Sequence, residues 1–375
     1  MRRIPEPDFI AGNQCRLLRD GEETFPAMLE AIGSAQRFIH LEVFRFRDDA
    51  IGRLFEAALT ERAAAGVEVR ILIDGYGCIA TPWAFFDRLR RAGARFTTFR
   101  PVTPWSRGWG FYRRDHRKIL VVDGQIGFAG GLNLDLCHAS KSQGGAGWRD
   151  THLRVTGPAV CELDRAFWDT WFHSAEPDDC PSDLSPYAIP AEPAGPHHVQ
   201  IVANRVHHTR SRIRRAYLQA LANARQHVWV TNPYFLPDAG FLRALTDASA
   251  RGVDVRLLVP EHSDVVAVDI ASRPILRALV KRGIRVFHRL GTILHAKTAV
   301  IDGNWSTVGS CNLDAMSFQN LELNANIRDS SFAGELSQLF LDDLRCSREL
   351  RPTRVADPVH LRFAEWTLHG LRHWL

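Results

Sequence analysis

Two short stretches carry the residue types best suited to chemistry. His116-Arg117-Lys118-Ile119-Leu120-Val121-Val122-Asp123-Gly124 and His295-Ala296-Lys297-Thr298-Ala299-Val300-Ile301-Asp302-Gly303 share the spacing H-x-K-x4-D. Gly130-Gly131-Leu132-Asn133 and Gly309-Ser310-Cys311-Asn312 follow at the same distance, so both copies read H-x-K-x4-D-x6-G-[GS]-x-N, offset by 179 residues. His at i and Lys at i+2 lie on one face of a strand, because side chains alternate with period 2. The Asp-Gly pair reads as a turn, and the Gly-rich segment brings Asn back beside His and Lys. One copy offers an imidazole, an ammonium and an amide; two facing copies offer two of each, which suits a phosphodiester. One His attacks phosphorus and the other protonates the departing oxygen. Lys118, Lys297, Asn133 and Asn312 bind and neutralise the phosphoryl oxygens. The lysines supply the positive charge, so neither a metal nor another cofactor is expected. A lone H-x-K-x4-D reads more readily as a surface strand ending in a turn; two copies in register reverse that reading.

The elements around the motifs repeat as well. Ala63–Asp74 matches Ala248–Pro260 apart from one added residue, each reading as a helix end, a glycine stop and a buried strand. Arg91–Phe96 echoes Lys281–Val286, and Phe38–Phe46 and His227–Phe235 are strand-like runs preceded by helical patterns. Strands alternating with helices predict an α/β sheet in each half. Between the halves, residues 174–198 hold six prolines, which break helices and cannot donate to a ladder. The expected division is therefore 1–173, a Pro-rich linker 174–198, 199–359, and an amphipathic C-terminal segment 360–375.

The 375 residues are 45% hydrophobic and 24% charged, which excludes disorder for most of the chain. A net charge of +5 is too small to indicate nucleic acid by itself but suits an anionic partner such as a phospholipid surface. No run of 18 apolar residues occurs, so no spanning segment is expected, and the N-terminus lacks the apolar stretch of a signal peptide. Seven cysteines without C-x-x-C argue against a disulfide framework and a zinc site, and point to a reducing cytoplasm.

The double motif resembles the phospholipase D superfamily over nearly the whole chain. Within it, the chain is most similar to bacterial cardiolipin synthases, particularly the shorter B type without N-terminal membrane helices. That likeness is carried by Gly75-Tyr76-Gly77, Arg114–Ile119, Gly147–His152, Asn232–Pro237, Gly252–Val255 and Ala271-Ser272-Arg273. It implies an α/β fold of two similar α/β/α halves related by pseudo-twofold symmetry, with one active site at their interface. It also implies a phosphohistidine intermediate, with His116 as nucleophile and His295 as general acid, then base. A carboxylate behind each His orients the ring: the resemblance assigns Glu322 to His295 and Asp150 to His116. Asp123 and Asp302 complete the catalytic motif, with a mainly structural role expected.

Two further segments bear on the substrate. Pro101–Arg114, extra relative to the second half, interleaves aromatic rings with arginines, which suits a membrane interface, single-stranded nucleic acid or an ordinary loop packed on the core. A basic stretch, Arg205–Arg215, opens the second half. In His360–Leu375, apolar residues recur at helical spacing with Trp366, Trp374 and basic side chains, the pattern of an interfacial helix or of one docked on the core. The expected activity is a peripheral phosphatidyltransferase at the cytoplasmic membrane face. It would join two phosphatidylglycerol molecules into cardiolipin and release glycerol. Hydrolysis by water, as in a phospholipase D, and a phosphodiesterase acting on nucleic acid are the alternatives.

Overall fold

The computed structural model describes residues 8–103, 112–187, 191–206 and 211–351. The tip of the aromatic-basic insertion, His207–Arg210 of the basic stretch, and the C-terminal segment 360–375 lie outside the described residues. In the first half the strands are β1 (Ile10–Arg19), β2 (Phe38–Val43), β3 (Glu68–Asp74), β4 (Arg95–Phe99), β5 (Lys118–Val122), β6 (Ile126–Gly130) and β7 (Thr151–Thr156). Its helices are α1 (Asp20–Ser34), α2 (Ala50–Ala64), α3 (Trp83–Arg91) and α4 (Val160–Ser174). The second half has β8 (His197–Ala203), β9 (His227–Thr231), β10 (Phe235–Leu236), β11 (Asp254–Pro260), β12 (Arg285–Arg289), β13 (Thr298–Ile301), β14 (Trp305–Gly309), β15 (Leu313–Asp314), β16 (Leu323–Arg328) and β17 (Ser347–Glu349). Its helices are α5 (Arg212–Asn223), α6 (Ala239–Ala250), α7 (Val266–Val280) and α8 (Ser330–Arg345).

The repeat in the sequence is a repeat in the sheet. In the first half β2, β3 and β4 run parallel while β5, β6, β7 and β1 continue antiparallel. In the second, β9, β11 and β12 run parallel while β13, β14, β16 and β8 continue antiparallel. Local signals place the equivalent helices. Asp49 caps α2 by accepting from Gly52 N at 3.0 Å, and Asp238 caps α6 by accepting from Gly240 N at 2.8 Å and Phe241 N at 3.0 Å. Gly66 and Gly252, at φ 89° and 87°, stop them in the left-handed region and return the chain to β3 and β11.

The halves do not carry separate sheets. β1 pairs antiparallel with β8, joining both into one 15-stranded sheet. The Pro-rich stretch makes this possible: Ala194 N donates to Gly12 O at 2.8 Å, and β8 starts at His197, inside the expected linker.

Three main cores follow from strand alternation. On β5, Leu120 and Val122 pack with α1 to α3, whereas Ile119 and Val121 face the central layer. That layer also holds Leu153, Val155, Val300, Val308, Leu323 and Ala325, with Leu163 of α4 and Leu336 of α8. The second-half helices α5 to α7 bury the equivalent outer core. The faces opposite the outer helices thus meet one another, bringing the two motif strands toward a common centre.

Candidate active site

His116 and His295 each precede a motif strand, and each is tied by backbone bonds to the opposite half. His116 N donates to Leu321 O at 2.9 Å, and Leu321 N donates to Arg114 O at 2.9 Å. His295 N donates to Arg149 O at 2.7 Å, and Arg149 N donates to Ile293 O at 2.9 Å. These are two parallel bridges, Asp115 with Leu321 and Arg149 with Leu294, and the residue after each bridging partner is a carboxylate.

That placement corrects the expected pairing. Glu322 stands behind His116, with its two oxygens 3.0 and 3.1 Å from Nδ1. Asp150 stands behind His295, with Oδ2 2.7 Å from Nδ1. The sequence reading had the partners exchanged, because it assumed that each half orients its own histidine. Each half instead lends its carboxylate to the other, since the bridges cross the interface.

Buried arginines hold both bridging segments. Arg114 grips Asp74 with Nε 3.0 and 3.1 Å from the two carboxylate oxygens, and the same carboxylate accepts from Asp115 N at 2.9 Å. Arg149 places Nε 3.0 Å from both oxygens of Asp343 on α8 and reaches Thr151 Oγ1 at 3.0 Å. Arg117, between His116 and Lys118, is fully buried; it donates to Ala166 O and Thr170 Oγ1 at 2.9 and 2.7 Å, and to Asn204 O of the second half.

Each lysine lies against the histidine of its own motif. Lys118 Nζ donates to His116 O at 2.7 Å, and Lys297 Nζ donates to His295 O and lies 2.8 Å from His295 Nδ1. Burial, then the charges of Lys118, Lys297 and His295, hold His116 well below the usual imidazole range. Burial, Lys297, Lys118 and Arg45 do the same to His295. Each lysine therefore acts on both rings, the electrostatic mark of a single site. Burial brings Lys118 down to about 7 and Lys297 to about 8, and drives Glu322 well above the usual carboxylate range. Asn133 and Asn312 are both buried, and among the described residues neither amide oxygen has a hydrogen-bond partner.

Asp123 and Asp302 are elsewhere. They close the far ends of β5 and β13 with φ near 54° and 53°, each in a turn with the following glycine. Asp123 accepts from the backbone N–H of Gln36, Arg37 and Phe38 at 2.8 to 2.9 Å; Asp302 accepts from Arg225, Gln226 and His227 at 2.8 to 3.0 Å. They anchor β2 and β9 beside the motif strands through backbone amides, a structural role at the end of each strand away from the histidines.

Sequence reasoning missed several neighbours. Ser310 Oγ donates to Glu322 Oε2 at 2.5 Å. The equivalent Gly131 leaves room for Asp150, since a Cβ there would fall 2.1 Å from Oδ1. The difference between Gly and Ser in the motif, set against Asp and Glu, was the available signal. The His138 ring meets that of His295 edge-on at 5.3 Å, and its Nδ1 is 3.7 Å from Asp150. His138, Asp150 and His295 bring ligand atoms within 4.8 Å of one another, the one such group of three among the described residues. Phe44 meets His116 edge-on at 4.8 Å, while Trp148 and Tyr234 lie 5.5 and 6.4 Å from His295.

A family model described as cardiolipin synthase, PLD-like domain, matches residues 28–143 and 217–344, taking in both motifs. The chain belongs to the cardiolipin synthase family. It is thereby an enzyme of the phospholipase D-like class, built on two similar α/β halves. A cardiolipin synthase of Geobacillus thermodenitrificans (strain NG80-2) is 36% identical over 345 residues, 92% of this chain and 68% of that relative. Cardiolipin synthase A of Pseudomonas fluorescens (strain SBW25) is 36% identical over 371 residues, 97% of this chain and 76% of that relative. Among solved structures, phosphatidylserine synthase of Haemophilus influenzae Rd KW20 shares the fold with a TM-score of 0.77 at 14% identity, covering 98% of this chain and 97% of that one. Among the described residues of this cardiolipin synthase family member, no helix is long and apolar enough to cross a membrane.

Proposed function

We propose that the site transfers a phosphatidyl group between two phosphatidylglycerol molecules through a phosphatidyl-histidine intermediate. His116 Nε2 forms the bond to phosphorus as the bond to the glycerol oxygen breaks, and His295 gives that oxygen its proton. In the second step His295 takes the proton from a hydroxyl of the second lipid, the new P–O bond forms and the N–P bond breaks. Glu322 and Asp150 hold Nδ1 of each ring, leaving Nε2 for chemistry. An anionic phosphodiester entering between Lys118 and Lys297 favours their charged forms and raises the proton affinity of His295, as a general acid requires. The side-chain N–H groups of Asn133 and Asn312 are the donors this reading assigns to the phosphoryl oxygens. The observation that carries this reading is the pair of buried, cross-braced histidines sharing two lysines. The family supports the lipid substrate over nucleic acid, and the +5 charge suits an anionic membrane surface reached peripherally. All seven cysteines are free, which supports a cytoplasmic-face location. Incubating the purified enzyme with vesicles of phosphatidylglycerol labelled in both the acyl chains and the headgroup tests this. Cardiolipin with an equal amount of labelled free glycerol is the expected outcome. Phosphatidic acid with labelled glycerol and no cardiolipin would assign a hydrolase, and cleavage of single-stranded nucleic acid without lipid turnover would assign a nuclease.

A further inference from the structure

The two walls of the site are not equivalent, although the fold that builds them is. Fully buried Phe46 pairs in parallel with Leu134, directly after Asn133, as Phe235 pairs with Leu313, directly after Asn312. Arg45 therefore occupies in the first half the position that Tyr234 occupies in the second. Tyr234 lies 6.4 Å from His295 and donates its hydroxyl to Asp264, 2.7 and 2.8 Å from the two carboxylate oxygens. Arg45 is held at the same place by backbone bonds to Leu134: Leu134 N donates to Arg45 O, and Arg47 N to Leu134 O, both at 3.0 Å. Since Phe46 faces the core, Arg45 and Arg47 project the other way, and Asp135 gathers both, 3.1 Å from Arg45 and 3.9 Å from Arg47.

This cationic wall is not used up by the fold. Two guanidinium groups share one carboxylate, leaving one positive charge, and the Arg45 side chain is 28% exposed. Among the described residues its buried Nε has no hydrogen-bond partner. Its charge is among those that lower the proton affinity of both histidines. The phosphate being transferred is already served by two lysines and two amides. A second anion is what the wall lacks, and a lipid acceptor brings one: its phosphodiester stays intact, a few bonds from the attacking hydroxyl. Water and glycerol bring none.

We propose that Arg45, assisted by Arg47, binds the phosphodiester of the acceptor lipid and so selects a lipid alcohol over water as the group that resolves the intermediate. Arg45 is a specificity residue here, and the inference rests on the phosphatidyl-transfer reading above. The test is the partition of one intermediate between two acceptors, which does not depend on how much enzyme is folded. On phosphatidylglycerol vesicles, Arg45→Gln should lower the ratio of cardiolipin to phosphatidic acid about tenfold or more, the usual weight of hydrogen bonds to a charged group. Arg45→Lys, which keeps the charge but loses the fork, should fall between. In wild type, soluble glycerophosphoglycerol should outcompete glycerol as acceptor at equal concentration, a measurement that needs no variant. An unchanged ratio in Arg45→Gln, or equal use of the two soluble acceptors, overturns the inference. Wild-type enzyme that makes no cardiolipin overturns the transfer reading itself.

Discussion

His116 and His295 occupy equivalent positions in two repeats, yet the groups behind them differ in reach and support. Behind His116 stands Glu322, steadied by the Ser310 hydroxyl at 2.5 Å. Behind His295 stands the shorter Asp150, which needs Gly131 beside it and has the His138 ring nearby. The longer carboxylate goes with a serine and the shorter one with a glycine, so reach and space are matched separately on each side. The pseudo-twofold axis thus relates the fold closely and the chemistry only approximately, as two steps with different demands on the two imidazoles require.

Removing either ring should have the largest effect. His116→Ala and His295→Ala should each lower phosphatidyl transfer by about 10⁴-fold or more, the scale on which nucleophile and acid–base groups acting as a unit are lost. Near-normal transfer by either variant, measured as cardiolipin formed per minute, would show that the halves work independently.

The lysines sharpen the comparison through pH. Burial brings Lys118 down to about 7 and Lys297 to about 8. The second-order rate constant for phosphatidylglycerol should therefore fall as pH rises through that range, because the free enzyme loses the charge that holds phosphate. Stability should move the opposite way. Both folded-state values lie below 10.5, so between about 7 and 10.5 the unfolded chain holds protons the folded chain does not, and stability rises with pH. Lys118→Met should accordingly melt about 3 °C or more above wild type at pH 6.5 while losing about 10²- to 10³-fold in transfer. A lower melting temperature, read by calorimetry, would mean that the ammonium is stabilised by partners in the fold.

The smallest effects concern the matched pairs. Ser310→Gly removes one hydrogen bond to Glu322 and should cost about tenfold in transfer. Gly131→Ala forces its Cβ to within 2.1 Å of Asp150 unless the carboxylate moves, and should cost more. Equal, negligible effects of both on turnover would remove the argument that space and reach are matched.

Much of this was legible before any coordinates. The repeat singled out His116 with Lys118 and His295 with Lys297, which the structure brings together, because strand alternation is local and fixes which side chains share a face. Glycine stops at Gly66 and Gly252 marked the equivalent helix–strand joints for the same reason. The crossing of carboxylates was not legible. It depends on isolated bridges between residues 145 and 206 positions apart, Leu294 with Arg149 and Leu321 with Asp115, and no periodicity encodes those partners. The partners of Asp123 and Asp302, backbone amides 75 to 87 positions away, were not legible either, because a place in a motif does not say which segment lies beside the strand end.

The cross-bracing is tested most directly with a donor whose leaving group needs no proton, such as phosphatidyl-p-nitrophenol. With it, loss of the general acid spares formation of the intermediate, whereas loss of the nucleophile abolishes it. The measurement is the burst of p-nitrophenolate in His116→Ala, His295→Ala, Glu322→Gln and Asp150→Asn. Glu322→Gln should behave like His116→Ala and lose the burst, and Asp150→Asn should behave like His295→Ala and keep it. Glu322→Gln tracking His295→Ala, with Asp150→Asn tracking His116→Ala, would contradict the exchange of carboxylates between the halves.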